Sequence, residues 1–310
     1  MNSVDFPNFI IFGAEKAGTT SLYHYLNEHP QIFMSPEKEP WFFICENGFP
    51  EILGNRIQKD IFVRSRIQKI EDYKKLFKNV KNETAIGEAS ASYIYVPDAA
   101  KKIKSYIPDI KLIAVLRNPA DRAYSNFLHC VKTGVEPLRD FEEALQSEET
   151  RQKENWGLVF YYKEKGFYYK YLKHYFDLFS ENQIKILLYD DFKSDPHKTL
   201  KEIYSFLDVS VEFKNNIINQ KFNVSPKIGL EWNLPTQILK STNPLKMFIK
   251  DLIPRKTKDQ IISTLLKTNT KQIKSLQPKI REYLLSIYKD DISCLEKLIK
   301  KDLTAWTVNP

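Results

Sequence analysis

The chain is poor in cysteine, in glycine and in long apolar runs. Its three cysteines, Cys45, Cys130 and Cys294, are odd in number and far apart. That spacing offers neither a metal-ligand set nor a disulfide framework, and it suits a reducing compartment. Only 9 of the 310 residues are glycine, so a glycine in a loop carries more weight than usual. No apolar stretch reaches the ~20 residues that a membrane-crossing helix needs. The first apolar run, residues 9–12, has no basic segment before it. It therefore predicts neither a signal peptide nor an anchor, and a cytoplasmic location follows as the expectation. Internal repeats and low-complexity tracts are missing as well.

Acidic charge is in the minority: 47 Lys and Arg against 39 Asp and Glu leave a net charge of +8. The excess falls late, with 15 basic against 6 acidic residues between positions 240 and 301. A basic chain suits nucleotides, acidic glycans, nucleic acid or an acidic membrane surface. A solvated lysine-rich helical face explains the late excess equally well. No recognised nucleic-acid-binding motif accompanies it, so nucleic acid is not the expected partner.

What is present is ordinary globular composition, 42% hydrophobic and 28% charged. Strand-like and helix-like stretches alternate, which predicts an α/β fold with a central parallel sheet flanked by helices. Strands are expected at 9–12, 31–34 and 183–189, with 111–116 as the clearest central strand. The stretch 84–87 is short and ambiguous. Helices are expected over 19–29, from Asn118 and Pro119 onward, and from Asp195-Pro196 through Leu207. Residues 43–70 and 220–275 read as irregular excursions, the second broken by Pro226, Pro235, Pro244 and Pro254. Such long connections are natural substrate-binding or lid regions. An amphipathic helix over about 278–301 closes a single domain of 310 residues.

Two segments carry anion chemistry. The first is Gly13-Ala14-Glu15-Lys16-Ala17-Gly18-Thr19-Thr20-Ser21, between the first strand and the first helix. Its glycines allow a tight turn and a close approach to an anion, and the helix presents its N–H groups and positive dipole end. Lys16 adds a point charge, and Thr19, Thr20 and Ser21 add hydroxyl donors. A nucleotide-hydrolysing P-loop has its lysine directly after the second glycine, where Thr19 stands here. The second segment runs from Arg117 to Ser125, where the clearest strand hands over to a helix; Arg122 and Ser125 are i, i+3 neighbours on that helix. Open α/β sheets bind ligands at the carboxyl ends of their strands. Both segments lie at such ends, so one ligand with two anionic groups can span them. A ligandless turn and a surface arginine are the plain alternatives for each segment taken alone.

The first segment resembles the 5′-phosphosulfate loop of sulfotransferases. Arg117-Asn118-Pro119-Ala120-Asp121-Arg122-Ala123-Tyr124-Ser125 resembles their 3′-phosphate motif. In these motifs the chain is similar to the heparan sulfate and carbohydrate branch more than to the cytosolic small-molecule branch. Lys38-Glu39-Pro40-Trp41-Phe42-Phe43 resembles that family's Lys-Glu-x-x-Phe-Phe segment. Gly166-Phe167-Tyr168 and Leu188-Tyr189-Asp190-Asp191-Phe192 are similar to two further stretches. The resemblance covers roughly residues 8–225. It implies a P-loop NTPase-like fold, 3′-phosphoadenosine 5′-phosphosulfate (PAPS) as co-substrate, 3′-phosphoadenosine 5′-phosphate (PAP) as product, and no metal.

The resemblance also implies donor binding by Lys16, Ala17, Gly18, Thr19, Thr20, Ser21, Arg117 and Ser125. Lys271 and Lys274 join them as basic residues before the last helix. It implies Lys16, Glu39 and Glu88 as catalytic residues, with Glu39 taking the acceptor's proton from an apolar sequence setting beside Pro40, Trp41, Phe42 and Phe43. Glu88 matches a Glu-Lys-Thr-Pro segment of the family, but Ala89 stands where its lysine would be, a departure that bears on the acceptor. None of His24, His29, His129, His174 and His197 stands where the cytosolic branch places its histidine base. The expected activity is sulfuryl transfer from PAPS to a hydroxyl or amine, by analogy on a carbohydrate, with aromatic residues in 41–43, 93–95 and 156–176 as stacking surfaces or core. A P-loop nucleotide kinase or ATPase, and a catalytically inactive nucleotide- or glycan-binding module, remain as alternatives.

Overall fold

The computed structural model describes residues 5–54, 66–218, 220, 228–230, 270–272 and 275–307. A strand buried on both faces needs a nearly continuous apolar run. Strand β1 (Phe9–Gly13) is buried at every position, and β4 (Lys111–Leu116) at every position but Lys111. With β2 (Ile32–Met34), β3 (Ala85–Ala89) and β5 (Ile184–Leu188) they form one sheet in the order β2-β3-β1-β4-β5. All four pairings are parallel.

The ambiguous stretch 84–87 thus becomes β3, directly beside β1. Its low strand propensity has a packing reason. A Cβ added at Gly87 would lie 2.1 Å from the ring of Phe9, so a glycine is needed where that ring crosses the neighbouring strand. Strand β2 starts one residue later than expected, and β5 is shorter than 183–189 by one residue at each end.

Helix α1 (Thr19–Asn27) stops two residues short of His29. The His29 ring is instead used by loops, with Nε2 2.9 Å from the Ser210 carbonyl and Nδ1 accepting from Gln31 N–H at 3.1 Å. Among its described residues the excursion 43–70 contains the short helix α2 (Phe42–Cys45) and the start of α3 (Ile70–Lys75). Helix α4 (Pro97–Tyr106) follows. Helix α5 (Pro119–Thr133) begins as its sequence predicts: Asn118 accepts from the N–H groups of Ala120 and Asp121. Two short helices, α6 (Phe141–Gln146) and α7 (Glu148–Lys153), lead to α8 (Tyr168–Leu178). After β5 come α9 (Tyr189–Ser194) and α10 (Pro196–Phe206), the latter capped by Asp195. Of the region 220–275, an antiparallel pair is described, β6 (Ile228–Leu230) with β7 (Thr270–Gln272).

The closing helix is α11 (Pro278–Ile299), followed by α12 (Thr304–Thr307). It packs on α8 and α5. Asp291 of α11 accepts from the N–H groups of Tyr169 and Lys170, capping α8, whose own N-cap residue Phe167 supplies no side-chain acceptor. Under α8 the Tyr175 and Phe12 rings meet with centroids 4.4 Å apart. Phe42, Phe43, Tyr93, Tyr95, Tyr168 and Tyr175 are all buried, so the aromatic stretches serve as core; Trp41 is only partly covered. Among the described residues no helix is long and apolar enough to cross a membrane.

Candidate functional site

Because every strand of the sheet runs the same way, all five carboxyl ends reach one edge. The loop 14–18 follows β1 there, 35–41 follows β2, 90–92 follows β3, Arg117 follows β4 and Tyr189 follows β5. The chain leaves β1 toward β2 on one side and leaves β4 toward β5 on the other. The loops after these two adjacent strands therefore diverge, which opens a crevice between them.

The first anion segment lines one wall of this crevice. Lys16 (φ 65) and Gly18 (φ 91) both sit in the left-handed region and wrap the loop; Gly18 is the N-cap position of α1. A side chain at Gly18 would also press on the Tyr189 ring at 3.3 Å, so both conformation and space call for glycine. Ala17 is fully buried and Thr19 nearly so, while Thr20 and Ser21 are half-buried on the first helical turn. Burial pulls the pKa of Lys16 down, and the neighbouring Glu15 pushes it back up.

The second segment meets the first. Arg117 Nη1 donates to the Lys16 carbonyl at 3.2 Å, joining residues 101 positions apart. Its guanidinium lies 4.9 Å from the centre of the Tyr189 ring. Ser125 lies in the second turn of α5 and is buried. Arg122 goes the other way. It is wholly buried and donates to the Tyr162 carbonyl and to Asn126 Oδ1. The two arginines of the motif thus divide, one toward the crevice and one into the core.

On the β3 side stands Glu39. Its N–H donates to the Ala89 carbonyl at 2.8 Å. Its carboxylate accepts from Lys38 Nζ at 2.6 Å, Trp41 Nε1 at 2.9 Å and Ala91 N–H at 3.0 Å. Arg66 donates to the Glu39 carbonyl, and its guanidinium lies 4.8 Å over the Trp41 ring. The apolar setting expected for Glu39 is therefore a polar one: Phe42 and Phe43 turn into the core, and donors surround the carboxylate. Glu39 (φ 60) and Trp41 (φ 57) both hold left-handed backbone, a conformation costing roughly 1–3 kcal/mol for such residues and found preferentially at functional sites.

Glu88 lies beneath, fully enclosed. Ser90 Oγ donates to its Oε2 at 2.9 Å and Tyr73 OH to its Oε1 at 3.3 Å. Burial pushes its pKa up to about 8, against these hydrogen bonds and with the Glu39 charge adding. At neutral pH it is largely protonated. Ser90 Oγ also accepts from Trp41 N–H at 3.3 Å, so Glu88 reaches Glu39 through Ser90 and Trp41. Ala89, in place of the lysine that the resemblance leads one to expect, is wholly buried.

Several residues of this region have no signature in a local stretch of sequence. Glu15 accepts from Ser92 Oγ and from Lys165 Nζ, each at 2.6 Å. Burial alone would raise the Glu15 pKa; Lys165, Ser92 and Arg122 outweigh it and hold the carboxyl down at about 2. Burial, with Lys16 next, pushes His129 down to about 4, so it is neutral at pH 7. The one signal for this cluster was Glu15 itself, an acid beside a lysine in an anion loop. Lys271 falls in β7 with its side chain outside the described residues, and Lys274 lies outside them altogether.

Residues 6–227 match the family described as the sulfotransferase domain. The chain is 25% identical over 286 residues to the membrane-associated sulfotransferase kil1 of Dictyostelium discoideum, a match taking in 66% of this chain and 56% of that protein. It is 30% identical over 212 residues to the bifunctional heparan sulfate N-deacetylase/N-sulfotransferase 4 of Mus musculus, covering 67% of this chain and 23% of that protein. The chain thus spans about half, or less, of the length of these relatives. A crystal structure of a sulfotransferase from Alicyclobacillus acidocaldarius superimposes with a TM-score of 0.73 at 29% identity, covering 98% of this chain and all of that one.

Proposed function

The chain belongs to the sulfotransferase family, and from that premise we propose that its crevice binds PAPS and passes the sulfuryl group to a hydroxyl or amine of a carbohydrate. The observation that carries this reading is the Arg117–Lys16 hydrogen bond, which joins two anion-binding segments at the ends of adjacent parallel strands. A donor with a 5′-phosphosulfate and a 3′-phosphate has its anionic groups placed for such a pair of segments.

In this reading Lys16, the N–H groups of Gly18, Thr19 and Thr20, and the Ser21 hydroxyl hold the 5′ side, with Ala17, whose N–H donates to the Ala14 carbonyl at 3.3 Å, shaping the loop. Arg117 and Ser125 hold the 3′-phosphate. The acceptor oxygen or nitrogen attacks sulfur in line, and the bond from sulfur to the 5′-phosphate oxygen breaks. The acceptor's proton goes to Glu39, and PAP leaves. Lys16 offsets the charge that grows on the leaving phosphate. Glu88, enclosed and largely protonated, acts from behind as a positioning residue through Ser90 and Trp41. The carbohydrate acceptor is supported by the relative that acts on heparan sulfate and by the polar cluster of Glu39, Lys38, Arg66 and Trp41, which suits a hydroxylated partner.

Calorimetric titration tests the donor reading. Adenosine 3′,5′-bisphosphate is expected to bind the wild-type chain and to bind Arg117→Ala about 10–100-fold more weakly, the range of a lost charge-assisted hydrogen bond. Binding and hydrolysis of ATP with magnesium, without bisphosphate binding, would reverse the assignment in favour of a nucleotide hydrolase. Sulfate transfer from PAPS to a panel of glycans, followed by PAP release, tests the acceptor class.

A further inference from the structure

The donor segment contains an electrostatic contradiction. Glu15 stands next to Lys16, yet a donor carrying several negative charges has to settle on this loop. Three segments converge on its carboxylate: the loop itself, Ser92 from the turn after β3, and Lys165 from the approach to α8. Lys165 is the unusual member. It is fully buried, it lies 5.6 Å over the Tyr95 ring, and its single ion pair among the described residues is to Glu15 at 2.6 Å, whose side chain keeps 23% of its exposure. A lone buried ammonium is costly unless it is paired. The position therefore makes sense only together with Glu15.

We propose that Lys165 is a positioning residue of the donor site, whose buried ammonium cancels the Glu15 carboxylate and thereby leaves the charge of Lys16 free to act on the donor. The inference rests on the donor reading above. With Lys165 present, the Glu15–Lys165 pair is neutral, and Lys16 and Arg117 set the sign of the crevice. Without it, Glu15 opposes Lys16 at one residue's distance and repels the donor. Ser92 passes the same constraint to the turn that follows Glu88 and Ala89, so the pair also fixes the donor loop relative to the acceptor side.

The test is binding of adenosine 3′,5′-bisphosphate to the full chain, for the wild type, Lys165→Met, Glu15→Gln and the double variant, between pH 5 and pH 8. Lys165→Met is expected to bind about tenfold or more weakly at pH 8. Its deficit relative to the wild type should shrink toward pH 5, because an unpaired, largely enclosed Glu15 takes up a proton there. The groups facing Glu15 are Lys165, Arg122, Lys16, His129, Cys130 and Tyr95. His129, pushed down to about 4, stays neutral across this range. The double variant is expected within about threefold of the wild type at every pH, since neither charge is left alone. It also keeps the test open if Lys165→Met alone does not fold. Wild-type affinity in Lys165→Met, or a double variant as weak as Lys165→Met with no pH dependence, would sink the inference while leaving the donor reading standing. A wild-type chain that does not bind the bisphosphate would overturn the donor reading and this inference with it.

Discussion

At the scale of single residues, two carboxylates joined by a serine and a tryptophan divide the work of one side of the crevice. Glu39 keeps some exposure and gathers three donors, whereas Glu88 is enclosed and largely protonated. Glu39→Gln keeps the shape and removes the proposed proton acceptor; kcat is expected to fall about 10²–10⁴-fold. Its bisphosphate affinity should stay within about twofold, because in the proposed function the donor is held from β1 and β4. An equal loss in binding and turnover would argue against the base assignment. Lys16→Ala removes the charge proposed to offset the leaving phosphate and is expected to cost about 10²–10³-fold in kcat.

Glu88 makes a prediction about pH. Its folded-state pKa of about 8 lies above the ordinary value of 4.5, so folding retains a proton that the unfolded chain releases. The associated stability is complete below pH 4.5 and is lost as pH rises through about 8. Glu88→Gln cannot titrate. Its melting temperature relative to the wild type's should therefore climb between about pH 5 and pH 8.5, read by scanning calorimetry. Two parallel curves would show that Glu88 does not hold its proton.

At the scale of elements, the junction of α8 and α11 is the clearest case of one helix completing another. A Cβ at Gly166 would lie 2.4 Å from the Tyr288 ring, and Tyr288 OH donates to the Lys163 carbonyl at 2.8 Å. Gly166→Ala is expected to cost about 1–3 kcal/mol by overpacking, seen as a fall in melting temperature. Since Lys165 is the preceding residue, bisphosphate affinity should fall with it.

Much at this scale is legible in sequence. Helix α11 begins at Pro278, α5 has Asn118 and Pro119 at its start, and β1 and β4 are continuous apolar runs. β3 is not, because its Gly87 answers to the Phe9 ring of another strand rather than to strand propensity. The site divides the same way. The two anion segments are contiguous stretches with local geometry, so they can be read off. The Glu15–Lys165 pair joins residues 150 positions apart; of the donors to the Glu39 carboxylate, Lys38 and Trp41 are sequence neighbours, whereas the Ala91 N–H comes from the turn after β3, and neither that contact nor the Glu15–Lys165 pair leaves a local trace.

At the scale of the whole molecule, a sheet with every strand parallel sends five loops to one edge, and the net charge of +8 gives the molecule a field that draws anions. Bisphosphate binding is accordingly expected to weaken several-fold between about 0.05 and 0.5 M salt, as the Debye length falls from more than about 10 Å to roughly 4 Å. Salt-independent affinity would mean that buried contacts alone hold the ligand.

Residues 281–306 close this architecture. Asn118, which caps α5 directly after Arg117, donates its side-chain N–H to the Trp306 carbonyl at 3.1 Å. Arg281 of α11 pairs with Asp121 in the first turn of α5, and the Trp306 ring lies 6.1 Å from that of Tyr168. In the order of synthesis, then, the segment 13–21 is made well before the Trp306 carbonyl that closes on Asn118. A chain still emerging from the ribosome carries both anion segments with the Asn118 amide unclasped, and a chain cut short before Trp306 stays in that condition.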